Sequence, residues 1–218
     1  MKVVSQPGVF FPAGPPPRPS AAGRALFLDR DGVINVNHGY VHAPEQTDWM
    51  PGVFELCALA RDAGYALVVV TNQAGIARGY YSEEQFLAYT RWMHEQFAAH
   101  GVPLLATYYC PHHPQAALDE YRLECACRKP QPGMILAAAR DLGLRLAECV
   151  LIAAVGCSTP CRPAGRPCPG IGPAESGPQR LLQLLRSECL IWAGWLRHRP
   201  ESPGPAGRAV PLVPGRSI

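Results

Sequence analysis

The sequence predicts a three-layer α/β domain, a mostly parallel sheet with helices packed on its faces. Between residues 25 and 152, short apolar runs rich in β-branched and aromatic residues alternate with segments of helical spacing. The residues best able to do chemistry stand just past the ends of those runs, where open parallel sheets bind ligands. The chain has 218 residues, room for one such domain and an appendage.

Residues 1–24 are Pro-rich and are expected to form a mobile leader. Residues 25–28 (ALFL) stop at Asp29 and read as a strand buried on both faces. In 53–64, Val53, Leu56, Leu59 and Ala60 share a helical face, and Gly64 supplies the stop. A second strand follows at 65–70, ending at Thr71. Ser82, Glu83, Glu84 and Gln85 have the spacing of a capping box and open a helix to about His100. Residues 103–109 predict the third strand, 133–142 the next helix and 149–152 the fourth strand. Trp49 and Trp92 are read as packing residues. The run Gly75-Ile76-Ala77-Arg78-Gly79 lacks the GxxxxGK[ST] pattern and reads as the start of a helical linker.

Composition narrows the function classes. With 48% apolar and 17% charged residues, the chain is not disordered throughout. No apolar run approaches the roughly 18 residues that a membrane span needs. Prolines interrupt the N-terminal stretch where a signal peptide needs unbroken apolar sequence, so a cytoplasmic location is expected. The formal charge of +3 averages two unlike segments: residues 1–152 carry −2 and residues 153–218 carry +5. That second segment holds 11 Pro and 9 Gly and is expected to be a disordered extension, not a nucleic-acid groove. A short helix at 181–195 is its one periodic stretch. Neither a nucleic-acid partner nor a membrane is expected, and the domain is expected to act as a monomer. The nine cysteines do not form a regular framework. Three cluster with a histidine, which suits a metal site in a reducing compartment.

The chemistry starts at 26–34 (LFLDRDGVI). Two carboxylates two residues apart, just past a strand, can divide the work of phosphoryl transfer, Asp29 as nucleophile and Asp31 as general acid and base. Read alone, the segment is equally a solvated Asp-Gly turn. Thr71-Asn72-Gln73 then offers a hydroxyl and amides to phosphate oxygens, and Lys129 offers a cation. Cys110 and His112, with Cys125 and Cys127, supply three thiols and an imidazole, enough for a tetrahedral zinc site. The bland reading is three free cysteines and a surface histidine. His113 is expected to face solvent or substrate.

In their order and spacing, FLDRDGVINVNHGYVH, LVVVTNQAGIARGYYSEEQF, YYCPHHP and CRKPQPGM resemble the haloacid dehalogenase superfamily of aspartate-dependent phosphatases. Within it they resemble the heptose-1,7-bisphosphate 7-phosphatase family most. The resemblance covers residues 25–152. It implies a Rossmann-like haloacid dehalogenase fold with a small zinc-clamped loop and no large cap domain. It implies a small-molecule substrate, a sugar bisphosphate dephosphorylated on the way to the activated heptose of lipopolysaccharide core. Asp29 is implied as nucleophile, Asp31 as acid and base, and Thr71 and Lys129 as the pair that stabilises the phosphoryl group. Mg2+ is implied on Asp29 and on the backbone carbonyl of Asp31, and a structural Zn2+ on Cys110, His112, Cys125 and Cys127. Asn37, His38, Gly39, Tyr40, Asn72, Gln73 and Arg128 are implied as substrate contacts. Histidinol-phosphate phosphatase is the nearest enzymatic alternative; Asn37 to His42 and the doubled His112-His113 favour the heptose enzyme. A zinc-binding remnant without catalysis is the alternative of another class.

That last alternative rests on a departure. The superfamily's fourth motif, an acidic pair after the last core strand, supplies a further magnesium carboxylate. Here the strand runs into Ala153-Ala154-Val155-Gly156, and no aspartate follows Asp141. The abrupt change reads as a shift of reading frame in GC-rich DNA. Translation of the other frames past codon 152 tests this, and finding no Gly-Asp with an acidic helix behind it refutes it. Without the motif the chain is expected to be poorly active, poorly stable or both, unless Glu148 or Glu175 substitutes.

Overall fold

The computed structural model describes residues 6–12 and 23–153. All but Ala153 of the extension expected at 153–218, with its 181–195 helix and Glu175, lies outside the described residues. The architecture is a five-stranded sheet in the order β1-β4-β3-β2-β5. Four strands run parallel, β2 (Ala25–Leu28), β3 (Ala66–Asn72), β4 (Ala106–Cys110) and β5 (Val150–Ile152).

Strand alternation sorts the sheet into two cores. Phe27, Val68, Val70 and Tyr108 face one side, where Met134, Ala138 and Leu142 of α4 (Gly133–Leu142) pack on them. Leu26, Leu28, Leu67 and Val69 face the other, under Val53, Cys57 and Ala60 of α1 (Val53–Asp62) and Met93 and Phe97 of α3 (Glu83–Ala99). Burial on both faces explains why these strands are unbroken apolar runs. Trp49 and Trp92 stack at 5.6 Å between centroids beside the second core, as packing residues do.

Local signals act as the sequence predicts. Ser82 Oγ accepts from Gln85 N–H at 3.1 Å while Gln85 Oε1 accepts from Ser82 N–H at 2.8 Å, a complete capping box. The linker after β3 is a single-turn helix, α2 (Ala74–Ala77). The third strand starts later than expected, at Ala106. Pro103 has no N–H for a ladder, and Leu105 N–H is the first donor to reach β3, at Leu67 O. No separate cap domain is present among the described residues.

The N-terminal segment corrects an expectation. Part of the expected mobile leader forms β1 (Gly8–Phe10), antiparallel to β4 with Val9 opposite Tyr108. Phe10 meets the His94 ring edge-on at 5.0 Å, Phe11 meets Tyr108 at 6.2 Å, and the strand covers an otherwise open sheet edge. Gly8 is required there, because a Cβ would stand 2.2 Å from the Tyr109 ring.

Candidate active site

Asp29 leaves β2 at the carboxyl edge of the sheet, and its N–H donates to Ile152 O of β5 at 2.9 Å. Lys129, a hundred residues on, brings Nζ to 2.5 Å from Asp29 Oδ1 and donates to Val70 O at 3.1 Å. The pair is 16–19% exposed, enough for an incoming phosphate to reach it. Asn72 positions the lysine: its Oδ1 accepts from Lys129 N–H at 2.9 Å and its Nδ2 donates to Lys129 O at 3.2 Å. Asn72, expected as a substrate contact, thus spends its amide on the main chain that carries the cation.

Gln73 also turns inward. It is 1% exposed, donates to Thr71 Oγ1 at 2.8 Å and accepts from Tyr81 O–H at 2.7 Å. The Thr71 hydroxyl, which accepts from Gln73, still has its own proton to donate.

Sequence reasoning missed Arg30. Its side chain is 1% exposed between the two aspartates and grips both oxygens of Asp31, at 2.9 and 3.0 Å from Nη2. It also donates to Val41 O at 2.6 Å and lies over the Phe86 and Tyr89 rings. Asn35 Nδ2 adds a bond to Asp31 Oδ1 at 3.2 Å. The signal available was an arginine set between two aspartates directly after a buried apolar strand, where a charge survives burial only when paired.

The implied substrate loop is exposed. Asn37 Oδ1 accepts from Gly39 N–H at 3.1 Å, His38 pairs with Asp48 at 2.7 Å, and Tyr40 holds φ 55°, a left-handed value rare for a tyrosine.

The thiols and imidazole converge. The ligand atoms of Cys110, His112, Cys125 and Cys127 lie within 4.8 Å of one another, with Sγ···Sγ of 3.3–3.4 Å and Nδ1···Sγ of 3.4–3.6 Å. Bonds of about 2.3 Å to sulfur and 2.0 Å to nitrogen place tetrahedral ligands roughly 3.5–3.8 Å apart, so this set fits zinc. The Cys110–Cys127 hydrogen bond lowers the pKa of the Cys127 thiol and, with burial, raises that of Cys110. His113 stands outside the cluster, held down by burial and by the charges of Arg128 and Arg78. Arg128 follows Cys127 directly and donates to His112 O at 3.2 Å. Gly133 N–H donates to Ala126 O at 2.9 Å, and a Cβ on Gly133 would stand 2.3 Å from that oxygen. Tyr109 and Tyr121 both donate to Glu83, strapping this loop to the start of α3.

A magnesium fits less completely. Asp29 Oδ1 is engaged by Lys129 and by Arg30 N–H, and among the described residues no hydrogen bond occupies Oδ2. One carboxylate oxygen therefore remains, which suits an ion that keeps several waters. Glu148 cannot supply another. It stands at the opposite, amino edge of β5 and grips Arg145 at 2.5 and 2.8 Å. Ala153 holds the position level with Asp29, because Leu28 is in register with Ile152.

Comparison with known proteins finds relatives in both sequence and fold. The family model described as polynucleotide kinase 3 phosphatase matches residues 26–150. A D-glycero-beta-D-manno-heptose-1,7-bisphosphate 7-phosphatase of Vibrio cholerae is 52% identical over 128 residues, covering 59% of this chain and 69% of that one. A HAD-like phosphatase of Mesorhizobium loti superposes with a TM-score of 0.58 at 35% identity, covering 68% of this chain and 71% of the other. The D,D-heptose 1,7-bisphosphate phosphatase of B. bronchiseptica, solved with magnesium and phosphate, superposes with a TM-score of 0.51 at 34% identity, covering 59% and 69%. Fold, motif order and these matches agree: the chain belongs to the heptose-1,7-bisphosphate 7-phosphatase family of haloacid dehalogenase-type phosphoric monoester hydrolases.

Proposed function

We propose that this protein removes the 7-phosphate of D-glycero-D-manno-heptose 1,7-bisphosphate through an aspartyl phosphate on Asp29, in the supply of activated heptose for lipopolysaccharide core. The observation that carries the reading is the Asp29–Lys129 pair at the carboxyl edge of a parallel sheet, with Asp31 two residues on. An Asp29 oxygen attacks phosphorus as the bond to the sugar oxygen breaks, and Asp31, carrying a proton on Oδ2 while Arg30 and Asn35 keep Oδ1, gives that oxygen its proton. Asp31 then takes a proton from water, whose oxygen attacks the acyl phosphate and frees Asp29. Lys129 and the Thr71 hydroxyl hold the phosphoryl oxygens where charge develops, and Arg30 keeps Asp31 in its rotamer. Mg2+ on Asp29 would neutralise phosphoryl charge, and Zn2+ on Cys110, His112, Cys125 and Cys127 would hold Arg128 and Lys129 in register.

No helix among the described residues is long and apolar enough to cross a membrane. A cytoplasmic, monomeric enzyme acting on a diffusible sugar bisphosphate is the corresponding proposal. Phosphate release from the bisphosphate with magnesium titrated, against Asp29→Asn as blank, tests it. Saturable release above the blank is expected, with a weak magnesium midpoint because Ala153 replaces a carboxylate. Release equal to the blank with zinc still bound would instead support the zinc-binding remnant, the reading that the missing fourth motif favours.

A further inference from the structure

Arg30 holds more than its neighbour in sequence. Its main chain organises the turn after β2: Arg30 N–H donates to Asp29 Oδ1 at 2.8 Å, and Arg30 O accepts from Val33, Ile34 and Asn35 N–H at 3.2, 2.8 and 3.2 Å. The buried side chain lies over the Phe86 and Tyr89 rings, and its fork reaches two separate parts of the chain. On one side, Asp31 Oδ1 accepts from Nε at 3.2 Å, from Nη2 at 3.0 Å and from Asn35 Nδ2 at 3.2 Å. Oδ2 accepts from Nη2 alone, at 2.9 Å. Three donors on Oδ1 leave Oδ2 as the oxygen that carries the proton. On the other side, the same Nη2 donates to Val41 O at 2.6 Å.

Val41 is the return anchor of an exposed loop. Residues 37–40 are exposed, and Gly39 at φ 80° and Tyr40 at φ 55° turn the chain through two left-handed residues, after which Val41 is buried. His42 then stacks on the buried Tyr81 at 4.5 Å, and Val36 N–H fixes the loop's entry by donating to Asp48 O at 2.7 Å. Arg30 Nη1, by contrast, is buried and makes no hydrogen bond among the described residues. A buried charge with an idle nitrogen costs stability, and such departures occur where a residue serves a site.

We propose that Arg30 is a positioning residue that ties the 37–42 loop to the general acid: one nitrogen holds both Val41 O and Asp31, so the seat of the loop sets the rotamer that aims Oδ2 at the leaving oxygen. This rests on the acid–base role of Asp31 above and deepens it. With a sugar leaving group, Asp29 bonds to phosphorus, the phosphorus–oxygen bond breaks, and the departing oxygen takes the Oδ2 proton. With p-nitrophenyl phosphate the same bonds form and break, but p-nitrophenolate leaves with the electron pair and needs no proton. Loss of Arg30 therefore separates the two substrates, whereas general damage to the fold slows both.

The test is single-turnover cleavage of both substrates by zinc-loaded full-length protein at saturating magnesium, in wild type, Arg30→Gln and Arg30→Lys. Arg30→Gln should slow formation of heptose 1-phosphate from the bisphosphate by roughly 10²-fold, the low end of what a general acid contributes, and p-nitrophenol release by less than about threefold. Arg30→Lys, a point charge over the same two rings, should recover part of the loss. Equal falls for both substrates, or no fall for the bisphosphate, overturn the tie. A second arm needs no turnover: amide hydrogen exchange over residues 37–43 should quicken in Arg30→Gln and, reciprocally, in Asp31→Ala, which keeps the arginine and frees its fork. Wild-type exchange in Asp31→Ala overturns the tie even where the Arg30 variants do not fold. Bisphosphate turnover no higher than that of Asp29→Asn removes the phosphatase reading and leaves exchange to decide the tie; full turnover in wild type with unchanged exchange in the variants removes the tie alone.

Discussion

His94 gives the fold a defined acid sensitivity. It sits on α3, 3% exposed, with Nε2 at 2.8 Å from Thr107 Oγ1 of β4 and Phe10 of β1 against its ring. Burial lowers its pKa from 6.5 to about 4, with Leu104's carbonyl opposing in part. A histidine depressed in the folded state contributes stability that is complete above the unfolded value and is lost as pH falls towards the folded one. From pH 8 to pH 5 the linkage removes about 2 kcal/mol, and the full shift is worth about 3 kcal/mol once pH falls below 4. Carboxylates also titrate in this window, so the readout is a difference. Urea unfolding between pH 8 and pH 4.5 is measured for wild type and for His94→Gln, which cannot acquire the charge. The variant should be less stable at pH 8, and its stability should fall with acid by about 2 kcal/mol less by pH 5. Parallel pH slopes for the two proteins would refute the reasoning.

Further outcomes follow from the site. Lys129→Met should lower kcat by roughly 10²–10³-fold, the usual effect of removing one preorganised electrostatic partner, and single-turnover phosphate release measures it. Chelation that removes zinc should abolish activity at saturating magnesium in step with zinc content, because Arg128 and Lys129 hang on Cys127; full activity in zinc-free protein would sever that link. Gly133→Ala should push the Ala126 carbonyl away and weaken zinc retention, at about 1–3 kcal/mol in unfolding. Ser82→Ala should cost about 1 kcal/mol by opening the capping box at the start of α3, seen as a lower urea midpoint at an unchanged slope.

Several parts of the site were legible in sequence because their chemistry is local. Asp29 and Asp31 stand two residues apart after an apolar run, and Cys125 and Cys127 are nearly adjacent. The substrate roles given to Asn72 and Gln73 were not settled at that level. Each amide had a choice of partners, and the structure spends them on Lys129 and Thr71. Arg78 read as part of a linker, and only the fold lays its guanidinium over the ring of Tyr40, 38 residues away.

Helix and strand periods, caps and turn glycines follow from backbone dihedrals within a few residues, so the sequence by itself determined the order of the elements from β2 to β5, the apolar character of the parallel strands and, to within a residue or two, the ends of α1, α3 and α4. It also determined what is missing, since Ala153 stands where a carboxylate would follow β5. Tertiary structure alone decided that Lys129 meets Asp29, that Arg30 is buried against Asp31, that Glu148 lies on the wrong edge to help, and that residues 8–10 close the sheet. Such pairings depend on strand register and on which apolar surfaces find each other across long separations, and no short-range pattern carries that information.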